Sequence, residues 1–226
     1  MRKYLLILLA FVAPVMNRAG SGKPVTAADD QHTLFEEMNL AARGLSGEVF
    51  QLALKGLRKL EQSGRLMNPG ILTIVDFSQS SKNKRLYVID LVHKTLLFNT
   101  YVAHGRNTGE EFATRFSNVT GSCKSSLGFF VTKGKNLGAS VGLSLILDGM
   151  EKGINDNALS RAIIVHGAAY ATENFIRKTG RLGRSFGCPS VPPELIKPVV
   201  EAIKGGTCLF IYHKDDLYIS HSALLN

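Results

Sequence analysis

The chain has 226 residues, 45% of them hydrophobic, and a formal net charge of +9. That length buries a core in one sizeable domain, or a domain with a small extension, without metal or disulfide staples. The Lys and Arg residues are scattered, with no basic helix and no aromatic-interleaved basic stretch, which argues against a nucleic-acid partner.

In chain order, Arg2 and Lys3 precede an apolar run from Tyr4 to Val15. This is the layout of an export signal, and residues 1–19 are expected to be removed. Pro14 interrupts the run, which is shorter than the roughly 20 residues a membrane span requires, so no stable span is expected after cleavage. A basic exported protein fits a polyanionic wall or membrane surface, in the periplasm or cell envelope. Residues 20–30 read as a polar linker, and residues 31–66 as a helical prelude packed on the larger domain C-terminal to it. Its first helix carries Leu34, Met38, Ala41 and Leu45 at helical spacing, with Gly44 as the stop. Its second is capped by Ser46, presents Val49, Phe50, Ala53, Leu54, Leu57 and Leu60 on one face, and ends at Gly64.

From residue 67 to 226 the pattern is that of a mostly β domain. Short runs rich in β-branched and aromatic residues cover 71–77, 85–91, 95–103, 128–132, 143–147, 162–165 and 207–212, bounded by Gly, Asn and Ser. Two helical pieces interrupt them. One spans 172–178, with Thr172 as cap and Gly180 as stop; the other spans 193–204, is closed by Gly205-Gly206, and should be kinked or split by Pro198. No internal repeat or low-complexity tract is present.

Three cysteines in an oxidising compartment leave at least one unpaired. Cys188 is the one expected to stay free. Cys123 and Cys208 can pair, or Cys208, inside the apolar run 208–212, can be a buried inert thiol.

The chemistry-bearing stretch is Val165-His166-Gly167, followed after a short helix by Gly183-Arg184-Ser185-Phe186-Gly187-Cys188-Pro189. A thiol is a poor nucleophile at neutral pH until a base takes its proton, and a strand-held His166 can do so. Glycine at 187 leaves the amides of Gly187 and Cys188 expected to face a developing oxyanion, as acyl transfer requires. Taken as bare residues, a packed Cys and a satisfied His fit equally well. His104, in the turn Ala103-His104-Gly105, either lines the cleft or completes a turn. No cofactor is expected, and the His and Cys spacing lacks the paired-ligand pattern of a metal site.

These segments, together with Ile74-Val75-Asp76-Phe77, Val102-Ala103-His104-Gly105 and Ser125-Ser126-Leu127-Gly128-Phe129, resemble the YkuD-type L,D-transpeptidases, and more closely the murein L,D-transpeptidase catalytic domain family. The resemblance implies a YkuD-like β-sandwich. It also implies a nucleophile, Cys188, that attacks the L,D amide of a peptidoglycan stem tetrapeptide, releases D-Ala and passes the acyl group to an amine. On the same basis His166 is the base, and the Gly167 carbonyl fixes its tautomer.

Two departures stand out: Phe186 replaces the His of the usual Ser-His-Gly-Cys, and Pro189-Ser190-Val191 stand where an Arg usually follows the Cys. Arg184 or Arg181 is the expected substitute grip on a substrate carboxylate, with Ser185, Phe186 and His104 as further substrate contacts. Two alternatives remain open at this level: an L,D-carboxypeptidase, in which water resolves the acyl-enzyme, and a non-catalytic exported wall-binding protein. The oligomeric state is not readable from the sequence.

Overall fold

A computed structural model describes residues 33–226. The expected signal and linker lie outside the described residues, as does the very start of the prelude. The described part is organised by one eight-stranded sheet in the order β3-β2-β1-β8-β4-β5-β6-β7. Its strands are β1 (Ile71–Asp76), β2 (Leu86–Asp90), β3 (Thr95–Thr100), β4 (Gly128–Gly138), β5 (Gly142–Gly149), β6 (Ile164–Gly167), β7 (Ser190–Val191) and β8 (Cys208–Tyr212). The β1–β8 and β6–β7 pairs are parallel; the other neighbours are antiparallel. The two sheet edges meet: Ala103, just past β3, forms an antiparallel bridge with Ser190 of β7, its N–H donating to the Ser190 carbonyl at 2.8 Å. The sheet is therefore barrel-like, and its closing bridge lies two residues beyond Cys188.

The central strands are buried on both faces, as the unbroken burial of Cys208–Tyr212 shows. Helix α1 (Gly47–Gln62) covers one side. Ser46 Oγ accepts from the Val49 N–H at 3.2 Å, and the six expected apolar positions are all buried. Burial of each of the larger ones, Val49, Phe50, Leu54, Leu57 and Leu60, is worth about 1.5–3 kcal/mol. Contact is close at Gly56, where a Cβ would lie 2.0 Å from the Phe129 ring, so the helix can approach the sheet only with glycine there. Helix α2 (Glu173–Thr179) has its Thr172 cap and its left-handed Gly180 as expected.

Other elements differ from expectation in instructive ways. The single helix expected over 34–45 is two pieces, a helical turn over 33–37 and a 3-10 turn Ala41–Arg43, because Asn39 takes a left-handed φ of 49° between them. Gly44 does stop the second piece. The split near Pro198 takes the form of a 3-10 turn, Pro193–Leu195, leading into α3 (Ile196–Ile203). Pro198 falls in the first turn of α3, where a missing N–H removes no bond within that helix. The two-residue β7 and α4 (Asp216–His221), capped by Asp215 on the Tyr218 N–H, are too short to show a period in sequence. A buried carboxylate anchors α4: Glu151 accepts from the Phe129 N–H at 2.7 Å and from the Tyr218 and Ser222 hydroxyls.

Candidate active site

His166 lies in β6, paired with Ser144 of β5 and Ser190 of β7, and is buried. Its Nδ1 is 3.1 Å from the Gly167 carbonyl. A carbonyl only accepts, so Nδ1 carries the proton and Nε2 is left with a lone pair. That lone pair accepts from the Ser190 hydroxyl at 2.9 Å, and Tyr170 Oη stands 3.1 Å from the same Ser190 Oγ. Burial lowers the His166 pKa against the opposing Gly167 bond, so the ring is a neutral acceptor.

The loop that carries Cys188 is held by hydroxyls. Ser185 Oγ donates to the Cys188 carbonyl at 2.6 Å and accepts from the Gly187 N–H at 3.0 Å; Ser125 Oγ donates to the Gly187 carbonyl at 3.0 Å. Glycine is required at 105, where a Cβ would meet the Cys123 carbonyl at 2.5 Å and Gly187 Cα at 2.8 Å, and at 187, where φ is 130°. This corrects one expectation. The Gly187 amide is committed to Ser185, so of the two amides expected to face an oxyanion only that of Cys188 has no partner among the described residues.

The Cys188 thiol is half-buried, with a weak contact of 3.7 Å to the Ala162 carbonyl. Burial pushes its pKa up, against a hydrogen bond from the Ile164 backbone and the charge of Arg161. The resting thiol is therefore protonated at neutral pH and depends on a base. No hydrogen bond among the described residues joins it to His166, but the two line one cleft of about 490 Å³ with Ser185, Phe186, Tyr170 and, from the β4–β5 hairpin, Val141. A slightly larger hollow of about 570 Å³ by Phe116 and His221 contains no cysteine. Cys123 and Cys208 are both unpaired, and Cys208 is fully buried in β8 with its pKa pushed up by burial, in keeping with an inert core thiol.

The remaining sequence candidates lie elsewhere. His104 is buried, its Nδ1 accepting from Arg85 Nη2 at 2.9 Å and its Nε2 3.3 Å from the Gly109 carbonyl. Burial and the Arg85 charge lower its pKa to about 3. It shapes the site only indirectly, through its carbonyl, which accepts from the Ser185 N–H at 2.9 Å. Arg184 and Arg181 both grip the Glu110 carboxylate, at 2.5 and 2.8 Å, and neither lines the cleft. Sequence reasoning passed over Ser190, Tyr170 and Arg161. The Arg161 guanidinium donates to the Ser117 and Lys124 carbonyls at 2.7 and 2.6 Å and to Ser126 Oγ. Only the register of β7 against β6 could have exposed Ser190, and that register is not legible in a two-residue strand.

Among the described residues no three His, Cys, Asp or Glu side chains converge as a metal site, and no helix is long and apolar enough to cross a membrane. Comparison with known proteins bears on what this arrangement is. No curated protein matches the chain. Among solved structures it is similar to an L,D-transpeptidase from Mycobacterium smegmatis (12% identity, 64% of this chain and 59% of that one, TM-score 0.40). It is also similar to one from Mycobacterium tuberculosis (16%, 64% and 58%, 0.39) and one from Xylanimonas cellulosilytica (16%, 63% and 60%, 0.36). The chain thus spans about three fifths of the length of these proteins. The model of the L,D-transpeptidase catalytic domain family matches residues 41–212, a stretch that includes every strand and both His166 and Cys188. With well over half of its length matched, the chain belongs to the L,D-transpeptidase catalytic domain family.

Proposed function

We propose that the chain is an exported cysteine acyltransferase that remodels peptidoglycan, an L,D-transpeptidase with Cys188 as nucleophile and His166 as base. The observation that carries this reading is one cleft shared by a half-buried thiol and a neutral imidazole whose tautomer leaves Nε2 as the acceptor. An export address is supported by the signal-like Arg2-Lys3 and apolar run at the N-terminus.

In this reading the Cys188 proton passes to His166 Nε2 after the Ser190 hydroxyl swings off that nitrogen. The thiolate attacks the carbonyl of the L,D amide in a stem tetrapeptide. Negative charge develops on the carbonyl oxygen and meets the unpartnered Cys188 N–H. His166 then protonates the departing D-Ala amine, leaving a thioester on Cys188. An amine from a second stem gives its proton to His166, attacks the thioester, and restores the thiol as the new amide forms.

The test is incubation of the purified protein with disaccharide-tetrapeptide, with products followed by mass spectrometry. Cross-linked dimer with release of D-Ala is the expected product. Tripeptide alone would assign hydrolysis by water instead, and no turnover with an unmodified thiol would remove the enzyme reading in favour of a wall-binding protein.

A further inference from the structure

Several arginines surround the nucleophile loop, and nearly all are occupied. Arg184 and Arg181 share Glu110. Arg161 is spent on backbone carbonyls and serine hydroxyls of the 117–126 segment. Arg85 is fully buried on the Val102 and Gln79 carbonyls and His104.

Arg106 is the exception. It is exposed, and its guanidinium lies over the Phe186 ring, 4.6 Å from the centroid, with no hydrogen-bond or carboxylate partner among the described residues. Phe186 is 71% exposed, an unusual position for a phenylalanine, and it forms part of the cleft wall two residues before Cys188. Stacking on a ring holds the guanidinium without consuming its N–H groups. The backbone under it is fixed as well: the Arg106 N–H donates to the Ser185 carbonyl at 2.7 Å, and Gly105 packs on Gly187. A positioned, unspent fork thus stands over Phe186, one of the residues of the cleft wall, although Arg106, like Arg181 and Arg184, does not itself line the cleft.

We infer that Arg106, held by Phe186, is the specificity-determining contact for the C-terminal carboxylate of the donor stem peptide. The inference rests on the transpeptidase reading of Cys188 and His166. In that reaction the free carboxylate lies one residue beyond the attacked carbonyl, within reach of a group flanking the Cys188 loop. A planar, bidentate donor suits a carboxylate and discriminates against a neutral amide of the same shape. The exposed phenylalanine then has a purpose, which is to orient the arginine.

The experiment measures binding apart from chemistry. The Cys188→Ala protein is titrated calorimetrically with stem tetrapeptide bearing a free C-terminal carboxylate and with its C-terminal amide. The acid is expected to bind about tenfold more tightly, the scale of one charged hydrogen-bonded pair. Adding Arg106→Gln should erase that preference while leaving amide affinity unchanged, and Phe186→Leu should weaken it in part. In the Cys188 protein, Arg106→Gln should raise KM for the acid with little change in kcat. An acid preference that survives Arg106→Gln, or no preference at all, overturns the inference. The two failures are distinguishable: an Arg106-dependent preference without turnover leaves Arg106 as a carboxylate contact but removes the transpeptidase, and turnover without that preference removes the Arg106 contact alone.

Discussion

Two buried histidines flank the loop that carries Cys188, and their surroundings differ in a way that suits only one of them to the proposed role of base. Around His104 both ring nitrogens are engaged inside the protein, one by the buried Arg85 and one by the Gly109 carbonyl, and the ring is no part of the cleft wall. Around His166 one nitrogen is tied to Gly167, and the other holds a serine hydroxyl that can turn away at a cleft wall. Both rings are neutral because burial penalises the cation. Neutrality alone therefore does not make a base. The proposed base differs in having an acceptor nitrogen with an exchangeable partner, in a cleft shared with a thiol.

The most severe way to break this contrast is to replace each ring by glutamine. His166→Gln should lower kcat by roughly 10²–10⁴, the range for loss of a positioned base, with the folded state retained. His104→Gln should change kcat by less than about tenfold. Comparable losses in steady-state kinetics of the two variants would erase the distinction.

Stability should respond in the opposite sense. His104→Ala strands a buried guanidinium hydrogen and should cost about 1–3 kcal/mol in denaturant unfolding, more than His166→Ala. The His104 pKa of about 3 lies below its ordinary 6.5. The unfolded chain consequently takes up the proton first as pH falls. Its contribution is complete above about pH 6.5 and is lost as pH drops toward 3, at up to about 1.4 kcal/mol per pH unit. His104→Gln should flatten that part of the stability profile, and an unchanged slope would place the acid sensitivity elsewhere.

The smallest expected effect concerns Ser190. If its hydroxyl merely occupies His166 Nε2, Ser190→Ala should speed iodoacetamide alkylation of Cys188 at neutral pH by about two- to fivefold, because the base is released. A slower reaction would mean that the hydroxyl carries the proton between thiol and imidazole.

Much of this was legible in the residues. Seven of the eight strands fall on β-branched runs, although β4 runs on to Gly138 beyond the expected 132 and β6 is shifted to Ile164–Gly167, and Ser46, Thr172 and Gly180 marked helix ends because capping is local chemistry. The proposed nucleophile and base, Cys188 and His166, were named from glycine spacing and family resemblance. What escaped depended on non-local register and on competition for hydrogen bonds. Ser190 meets His166 only through the parallel β6–β7 pairing, Gly187 loses its amide to Ser185, and Glu110 claims both Arg181 and Arg184. No local pattern shows which donor finds which acceptor.

The central claim is that Cys188, served by His166, carries the acyl group. Intact-protein mass spectrometry of a quenched reaction with disaccharide-tetrapeptide, followed by peptide mapping, tests it most directly. The expected result is a thioester adduct of tetrapeptide less D-Ala on Cys188, absent from Cys188→Ala and strongly reduced in His166→Gln. Product formation by Cys188→Ala, or an adduct mapped to Cys123, would contradict it.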